Sequence, residues 1–228
     1  MIACIYLLVS VATTSTSIMH HCGFLGHSVI CHFQSRLLSG DSNMPSHLMV
    51  NHVASVEFVG KGGLKASSLA RGEGVLDQLM GKFRRHPSVI VVLVGGNDFR
   101  DGVSVEQTVT DLDKVASTLK SRYGVQHVVV CYLLPRHSAE KMSAWWHMTP
   151  EEAENYRQWA RAVNARMDTI LPCPSVSVWN HQRHMRFQPQ FRDYFASDGV
   201  HLSNKGNYHL YRSFKGAALL GIMQARFS

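Results

Sequence analysis

A chain of 228 residues with 45% hydrophobic and 17% charged side chains is long enough to bury one sizeable core and too apolar to be disordered over most of its length. Its 23 Lys and Arg against 16 Asp and Glu give a formal net charge of +7, a balance that favours phosphates, acidic lipids or nucleic acid, yet the densest basic cluster is only Arg183, His184, Arg186 and Arg192. The five cysteines, Cys4, Cys22, Cys31, Cys131 and Cys173, are odd in number, widely spaced and without a CxxC, which excludes a disulfide framework and a zinc ribbon.

Ile2 to Ala12 is apolar and Thr13 to Ser17 is small and polar, the order found in a signal peptide, although no Lys or Arg precedes the run. The run is short for a transmembrane helix, and no other segment reads as membrane-spanning. Residues 1–17 are expected to be either a signal peptide, implying secretion, or an apolar extension of a chain that stays inside the cell. Residues 18–228 are expected to form a single domain.

Ile18 to Leu25 reads as a first strand and Val29 to Leu38 as a helix. Val53 to Val59 alternates like a strand, and Gly60, Gly62 and Gly63 punctuate the segment after it. Val75, Leu76, Leu79, Met80 and Phe83 make a helical stripe. Val89 to Val94 is continuous and β-branched, as in a strand buried on both faces. Val105, Val109, Leu112, Val115 and Leu119 recur at helical spacing. Val125 to Leu134 is a second buried-strand run, and Arg136 to Met148 reads as a long loop carrying Trp145 and Trp146. Thr149-Pro150-Glu151-Glu152 is a capping box with Pro at the first helical position. Val176 to Trp179 is a fifth strand, and Tyr208, Tyr211, Phe214 and Ala218 belong to a last helix. Five alternations of strand and helix predict a parallel sheet covered on both faces, with its site at the carboxyl ends of the strands.

The segments just after those apolar runs carry the chemistry. They are Gly26-His27-Ser28, Gly60-Lys61-Gly62-Gly63 and Gly95-Gly96-Asn97-Asp98, joined by Asp198-Gly199-Val200-His201 before the last helix. Ser28 at a strand-to-helix turn suits a nucleophile, with its own N–H near the positive end of the helix. Serine needs a base, which His201 supplies, and Asp198 is close enough in sequence to hold the imidazole. The N–H groups of Ser28 and Gly63 and the side-chain amide of Asn97 are the candidates for an oxyanion hole, with Gly62 as the rival of Gly63.

This ordered set resembles the blocks of the SGNH/GDSL hydrolase family over roughly residues 18 to 223. The resemblance implies a three-layer α/β/α flavodoxin-like sandwich on a five-stranded parallel sheet, esterase, lipase, thioesterase or deacetylase activity, and no metal or organic cofactor. The Gly-His-Ser start, Gly-Gly-Asn-Asp block and Asp-Gly-Val-His-Leu ending are similar, more closely, to esterase-like domains of animal non-LTR retrotransposons and their genomic relatives. In the family the first block usually reads Gly-Asp-Ser, so His27 replaces an Asp and the hydrogen bonds of that turn must differ. Gly40-Asp41-Ser42 spells the family's letters but comes after a helix, and Ser42 is expected to be a decoy.

The expected function is hydrolysis of a small-molecule or lipid carboxylic ester through an acyl-enzyme. The alternatives are a deacetylase of sugar acetates with the same residues, and a catalytically weak binding module using the basic surface for anionic lipid or nucleic acid. Asp98 reads as structural. His20, His21, Cys22, His27, Cys31 and His32 are dense but match no metal-ligand spacing, and a strand would point alternate members opposite ways. Trp145 and Trp146 fit an acyl pocket or lid and fit packing equally well. Position 30 is Ile, which excludes a Gly-x-Ser-x-Gly elbow, and neither a Walker loop nor a dinucleotide fingerprint is present.

Overall fold

The computed structural model describes residues 19–40, 43–72, 74–140, 147–181 and 189–227. Residues 1–17, Ser42, Trp145, Trp146, Arg183, His184 and Arg186 lie outside the described residues. Strands β1 (His20–Gly26), β2 (Ala54–Gly60), β3 (Val89–Leu93), β4 (His127–Cys131) and β5 (Val176–Trp179) pair in the order β2-β1-β3-β4-β5. Every pairing is parallel.

The helices divide between the two faces as the period of two along the strands requires. Val89, Val91 and Leu93 of β3 face one cluster with Phe24, Phe33 and Phe214, which brings in α1 (Ser28–Leu38) and α6 (Asn204–Ala225). Ile90 and Val92 face the other, with residues of α2 (Ala66–Ala70), α3 (Val75–Met80), α4 (Val105–Tyr123) and α5 (Pro150–Ile170). The result is the three-layer α/β/α sandwich that the alternating pattern predicts. The capping box at Thr149 and Glu152 forms as read, with Glu152 N donating to Thr149 Oγ1 at 3.1 Å and Thr149 N to Glu152 Oε2 at 2.8 Å.

Three local differences have physical causes. The short helix α2 carries no periodic signal, being five residues long and capped from a distance rather than by its own N-cap Lys65. Strand β4 stops at Cys131, where its partner β5 ends at Trp179, so Tyr132 to Leu134 continue as buried chain outside the sheet. Helix α3 ends at Met80, with Gly81 as its C-cap, and Phe83 packs into the core from beyond the helix.

The sheet sets the site. Gly26 pairs with Gly60 on one side and with Leu93 on the other, so the carboxyl ends of β1, β2 and β3 lie level. A Cβ on Gly26 would sit 2.4 Å from the Leu93 carbonyl oxygen, and one on Gly60 would sit 2.6 Å from Cys31 Sγ. Both glycines let neighbouring backbone close in, and the loops after all three strands emerge side by side. Among the described residues, no helix is long and apolar enough to cross a membrane.

Candidate active site

His27 is the N-cap of α1 and Ser28 its first residue. The N–H of Ser28 therefore has no acceptor within the helix. The His27 N–H donates to the Leu93 carbonyl at 3.3 Å, stitching the turn to the end of β3. The His27 side chain does the work of an acidic cap in neutral form, its Nδ1 accepting from Val29 N at 3.3 Å. Burial, with Arg136 and His201 nearby, drops this imidazole to about 3, so it stays uncharged at neutral pH.

Ser28 and His201 meet although 173 positions separate them: His201 Nε2 lies 3.0 Å from Ser28 Oγ. On the other side of the ring, Nδ1 lies 2.6 Å from Asp198 Oδ2. A carboxylate only accepts, so Nδ1 carries the proton and Nε2 is left to accept from the Ser28 hydroxyl. Asp198 Oδ1 also accepts from the N–H groups of Val200 at 2.8 Å and His201 at 2.9 Å. Burial alone would push the Asp198 carboxyl up; the bonds from the His201 ring and these two N–H groups outweigh it and hold the group well below the usual carboxylate range. The side chains of His201 and Asp198 are 20% and 21% exposed, so the pair is accessible from solvent.

The turn from Asp198 to His201 is pinned. Ala196 N donates to His201 O at 2.8 Å, and His137 N donates to Gly199 O at 2.8 Å. Gly199 has φ +71°, and a Cβ there would lie 2.1 Å from the His137 carbonyl oxygen. Ser203 then caps α6, accepting from Gly206 N at 3.2 Å.

The candidate oxyanion donors come from the loops after β1, β2 and β3. Gly63 has φ +69° and open space around it, so backbone conformation rather than crowding calls for glycine there. Gly62 is equally open, but its φ lies outside the left-handed region. Asn97 is the N-cap residue of the adjoining 3₁₀ turn (Asp98–Asp101), but its side chain makes no capping bond there. Its Nδ2 donates to Leu64 O at 3.0 Å, and its Oδ1 accepts from Arg136 Nη2 at 2.7 Å. Asp98, wholly buried, accepts from Ala66 N at 2.8 Å and Ser67 N at 3.0 Å, satisfying two of the orphan donors of α2. That is the structural role read for it.

Two residues beside the site were missed from sequence. His32, four residues after Ser28 on α1, stacks on His201 with ring centroids 4.1 Å apart. Its helical spacing from the serine was the available signal. Arg136 comes directly after Pro135, past the β4 apolar run, where sites of such sheets gather. The histidines and cysteines near the first strand disperse: His20 meets Ser88, His21 meets Ser55 and Glu57, and Cys22 is core. Among the described residues, no group of three or more His, Cys, Asp or Glu is arranged to hold a metal.

A family model described as the GDSL-like lipase/acylhydrolase family matches residues 24–208. Among solved structures, a GDSL-like lipase from Bacteroides thetaiotaomicron superposes with a TM-score of 0.61 at 15% identity, covering 89% of this chain and 89% of that one. A carbohydrate esterase family 3 protein from Talaromyces cellulolyticus gives 0.57 at 15% identity over 90% and 99% of the two chains. A lipase from a goat rumen metagenome gives 0.53 at 15% identity over 87% and 97%. No curated protein matches the chain. At these identities the structural likeness establishes the fold, and the family match spans most of the sequence.

Proposed function

The chain belongs to the GDSL-like lipase/acylhydrolase family, and from that premise we propose that it hydrolyses carboxylic esters of small molecules or lipids, with Ser28 as nucleophile, His201 as general base and Asp198 as its orienting carboxylate. The observation that carries this reading is the continuous relay from Ser28 Oγ through both nitrogens of His201 to Asp198, at 3.0 Å and 2.6 Å.

In the reaction Ser28 Oγ attacks the acyl carbon while its proton passes to His201 Nε2. Asp198 holds the ring in the tautomer that leaves Nε2 basic and balances the imidazolium that forms. The negative charge on the carbonyl oxygen is met by the N–H groups of Ser28 and Gly63 and by Asn97 Nδ2, whose second hydrogen is left over from its bond to Leu64. His201 then gives the proton to the departing alkoxide, and the alcohol leaves an acyl-serine. Water attacks that ester with His201 again as base, releasing the acid and restoring Ser28.

His27 in place of the family's usual Asp still supplies an acceptor that caps α1 through Val29 N, so the turn that presents Ser28 keeps its cap in an uncharged form. Within the family, the first, third and last motifs support placing the chain with the esterase-like domains of animal non-LTR retrotransposons and their relatives. Residues 18–228 act as one hydrolase domain in this proposal.

Labelling with a fluorophosphonate, which traps only an activated serine, tests the assignment. Wild type and Ser42→Ala should label, and Ser28→Ala should not. Undiminished labelling or ester cleavage in a folded Ser28→Ala protein would remove Ser28 from the mechanism.

A further inference from the structure

Arg136 is 5% exposed, and none of the carboxylates among the described residues forms an ion pair with it. Asp198 acts on it only through its field, and a buried guanidinium without a direct carboxylate partner is costly unless its N–H groups and charge are used. Here the cation lies over the Tyr156 ring, 4.7 Å from its centroid. The Tyr156 hydroxyl donates to Leu134 O at 3.0 Å, and Arg157 Nη1 donates to the Arg136 carbonyl at 3.1 Å, so the chain on which Arg136 sits is fixed from two sides.

The fixed guanidinium points at Asn97, with Nη2 2.7 Å from Oδ1. Gly96 makes room for this approach. A Cβ there would lie 2.9 Å from the Tyr156 hydroxyl and 3.2 Å from Arg136 Nη2, and its φ lies outside the left-handed region, so space rather than backbone conformation demands glycine.

A guanidinium has donors only, so the amide atom that faces it must be an oxygen. That choice fixes the other end: Nδ2 faces away, gives one hydrogen to Leu64 O and keeps one for the reacting carbonyl. A flipped amide would turn Nδ2 toward the cation and Oδ1 toward the Leu64 carbonyl, losing both bonds and leaving no hydrogen for a developing oxyanion. We propose that Arg136 is a positioning residue of the oxyanion hole, which selects the orientation of the Asn97 amide and thereby the transition-state donor. The proposal rests on the ester-hydrolase reading of the same site.

The experiment is a double-mutant cycle with p-nitrophenyl acetate as probe, comparing Arg136→Met with wild type in the Asn97 and Asn97→Ala backgrounds, with thermal melts as a check on folding. In the Asn97 background Arg136→Met should lower kcat by on the order of 10²-fold with little change in KM, as expected for loss of one oxyanion donor. In the Asn97→Ala background the same change should cost less than about 3-fold, because the group Arg136 acts on is already gone. Equal fold losses in the two backgrounds, or a rise in KM with kcat intact, would overturn the proposal.

Should Arg136→Met not fold, Arg136→Gln, which can turn either a donor or an acceptor to the Asn97 amide and so no longer selects its orientation, is read through the same cycle. Asn97→Asp gives an independent reading. It preserves a partner for the guanidinium but has no hydrogen to donate, so it should lose at least as much kcat as Asn97→Ala; near-wild-type turnover would overturn the proposal. Turnover that survives Ser28→Ala marks failure of the hydrolase reading instead, since the cycle compares Arg136 variants only within a Ser28-dependent rate.

Discussion

The imidazole of His32 lies on that of His201, the ring centroids 4.1 Å apart and the planes at 30°. The ring that must receive a proton from Ser28 is thus held on one edge by Asp198 and on one face by a neighbour on α1, the helix that also carries the serine. Burial, with His201 nearby, lowers the His32 imidazole, which is therefore uncharged at neutral pH and acts there as a flat packing surface. Replacing it by Phe should keep kcat/KM within about 3-fold. Replacing it by Ala should lower kcat/KM by about 2- to 10-fold, the equivalent of a stacked pair. Steady-state kinetics on p-nitrophenyl acetate separates the two variants, and equal losses in Phe and Ala would deny the stack a role.

Asp198→Asn tests the electrostatic end of the relay. An amide can accept from Val200 N and His201 N as the carboxylate does, so the turn should survive. It can also offer its NH₂ group to Nδ1, which moves the ring proton to Nε2 and leaves Ser28 facing a donor instead of a base. The expected loss in kcat is about 10³- to 10⁴-fold, with the fold retained but a lower melting temperature at pH 7, because the depressed Asp198 carboxyl marks stabilisation of its charged form in the folded state. A loss below tenfold would mean that Asp198 holds the turn without orienting the base.

Much of this site is legible before any coordinates because the strands announce themselves. Val89 to Leu93 is apolar on both faces and marks a central parallel strand, and its end points directly to Asn97. The residues that fail to announce themselves act through tertiary contacts. Arg136 looks like any arginine in a loop, since its meaning depends on Asn97, 39 positions away, and on Tyr156, on a helix that starts beyond the loop. Helix α2 is invisible for the same reason: its cap is the Asp98 carboxylate, 31 and 32 positions from the N–H groups it satisfies. His27 was visible only as a departure from the family's motif. Its capping bond to Val29 explains why a neutral acceptor suffices there.

Gly199→Ala should damage stability and catalysis together. The residue sits at φ +71°, and the added Cβ would come within 2.1 Å of the His137 carbonyl oxygen and 2.9 Å of the Ser138 one. These are backbone atoms on a segment that itself bonds to Gly199, so neither side can yield without opening the turn. The cost should be about 2–4 kcal/mol, combining a left-handed penalty with an overpacked contact. Because Asp198 and His201 flank this glycine, kcat should fall at temperatures where the protein is still folded. Urea unfolding with parallel kinetics checks both, and a fully active, fully stable variant would mean that the turn relaxes freely.

His27 gives the fold an acid-sensitive point at the base of the nucleophile turn. Its folded-state value of about 3 lies below the ordinary histidine value of 6.5. Between those two values the unfolded chain binds a proton that the folded chain refuses, so stability rises with pH across that window and is fully recovered above it. Stability is lost as the pH falls from about 6.5 toward 3, and the dependence ends only when the folded imidazole also takes its proton. His137, lowered to about 4 by burial and by Arg157 and Arg192, adds to the same slope. His27→Asn supplies a neutral acceptor for Val29 N that does not titrate. Urea unfolding between pH 4 and 7 should therefore show a shallower pH dependence in His27→Asn, by about 1.4 kcal/mol per pH unit in the steepest region, the contribution of one proton. If the variant keeps the wild-type slope, the acid sensitivity resides in the other buried histidines and His27 is not protonated on unfolding.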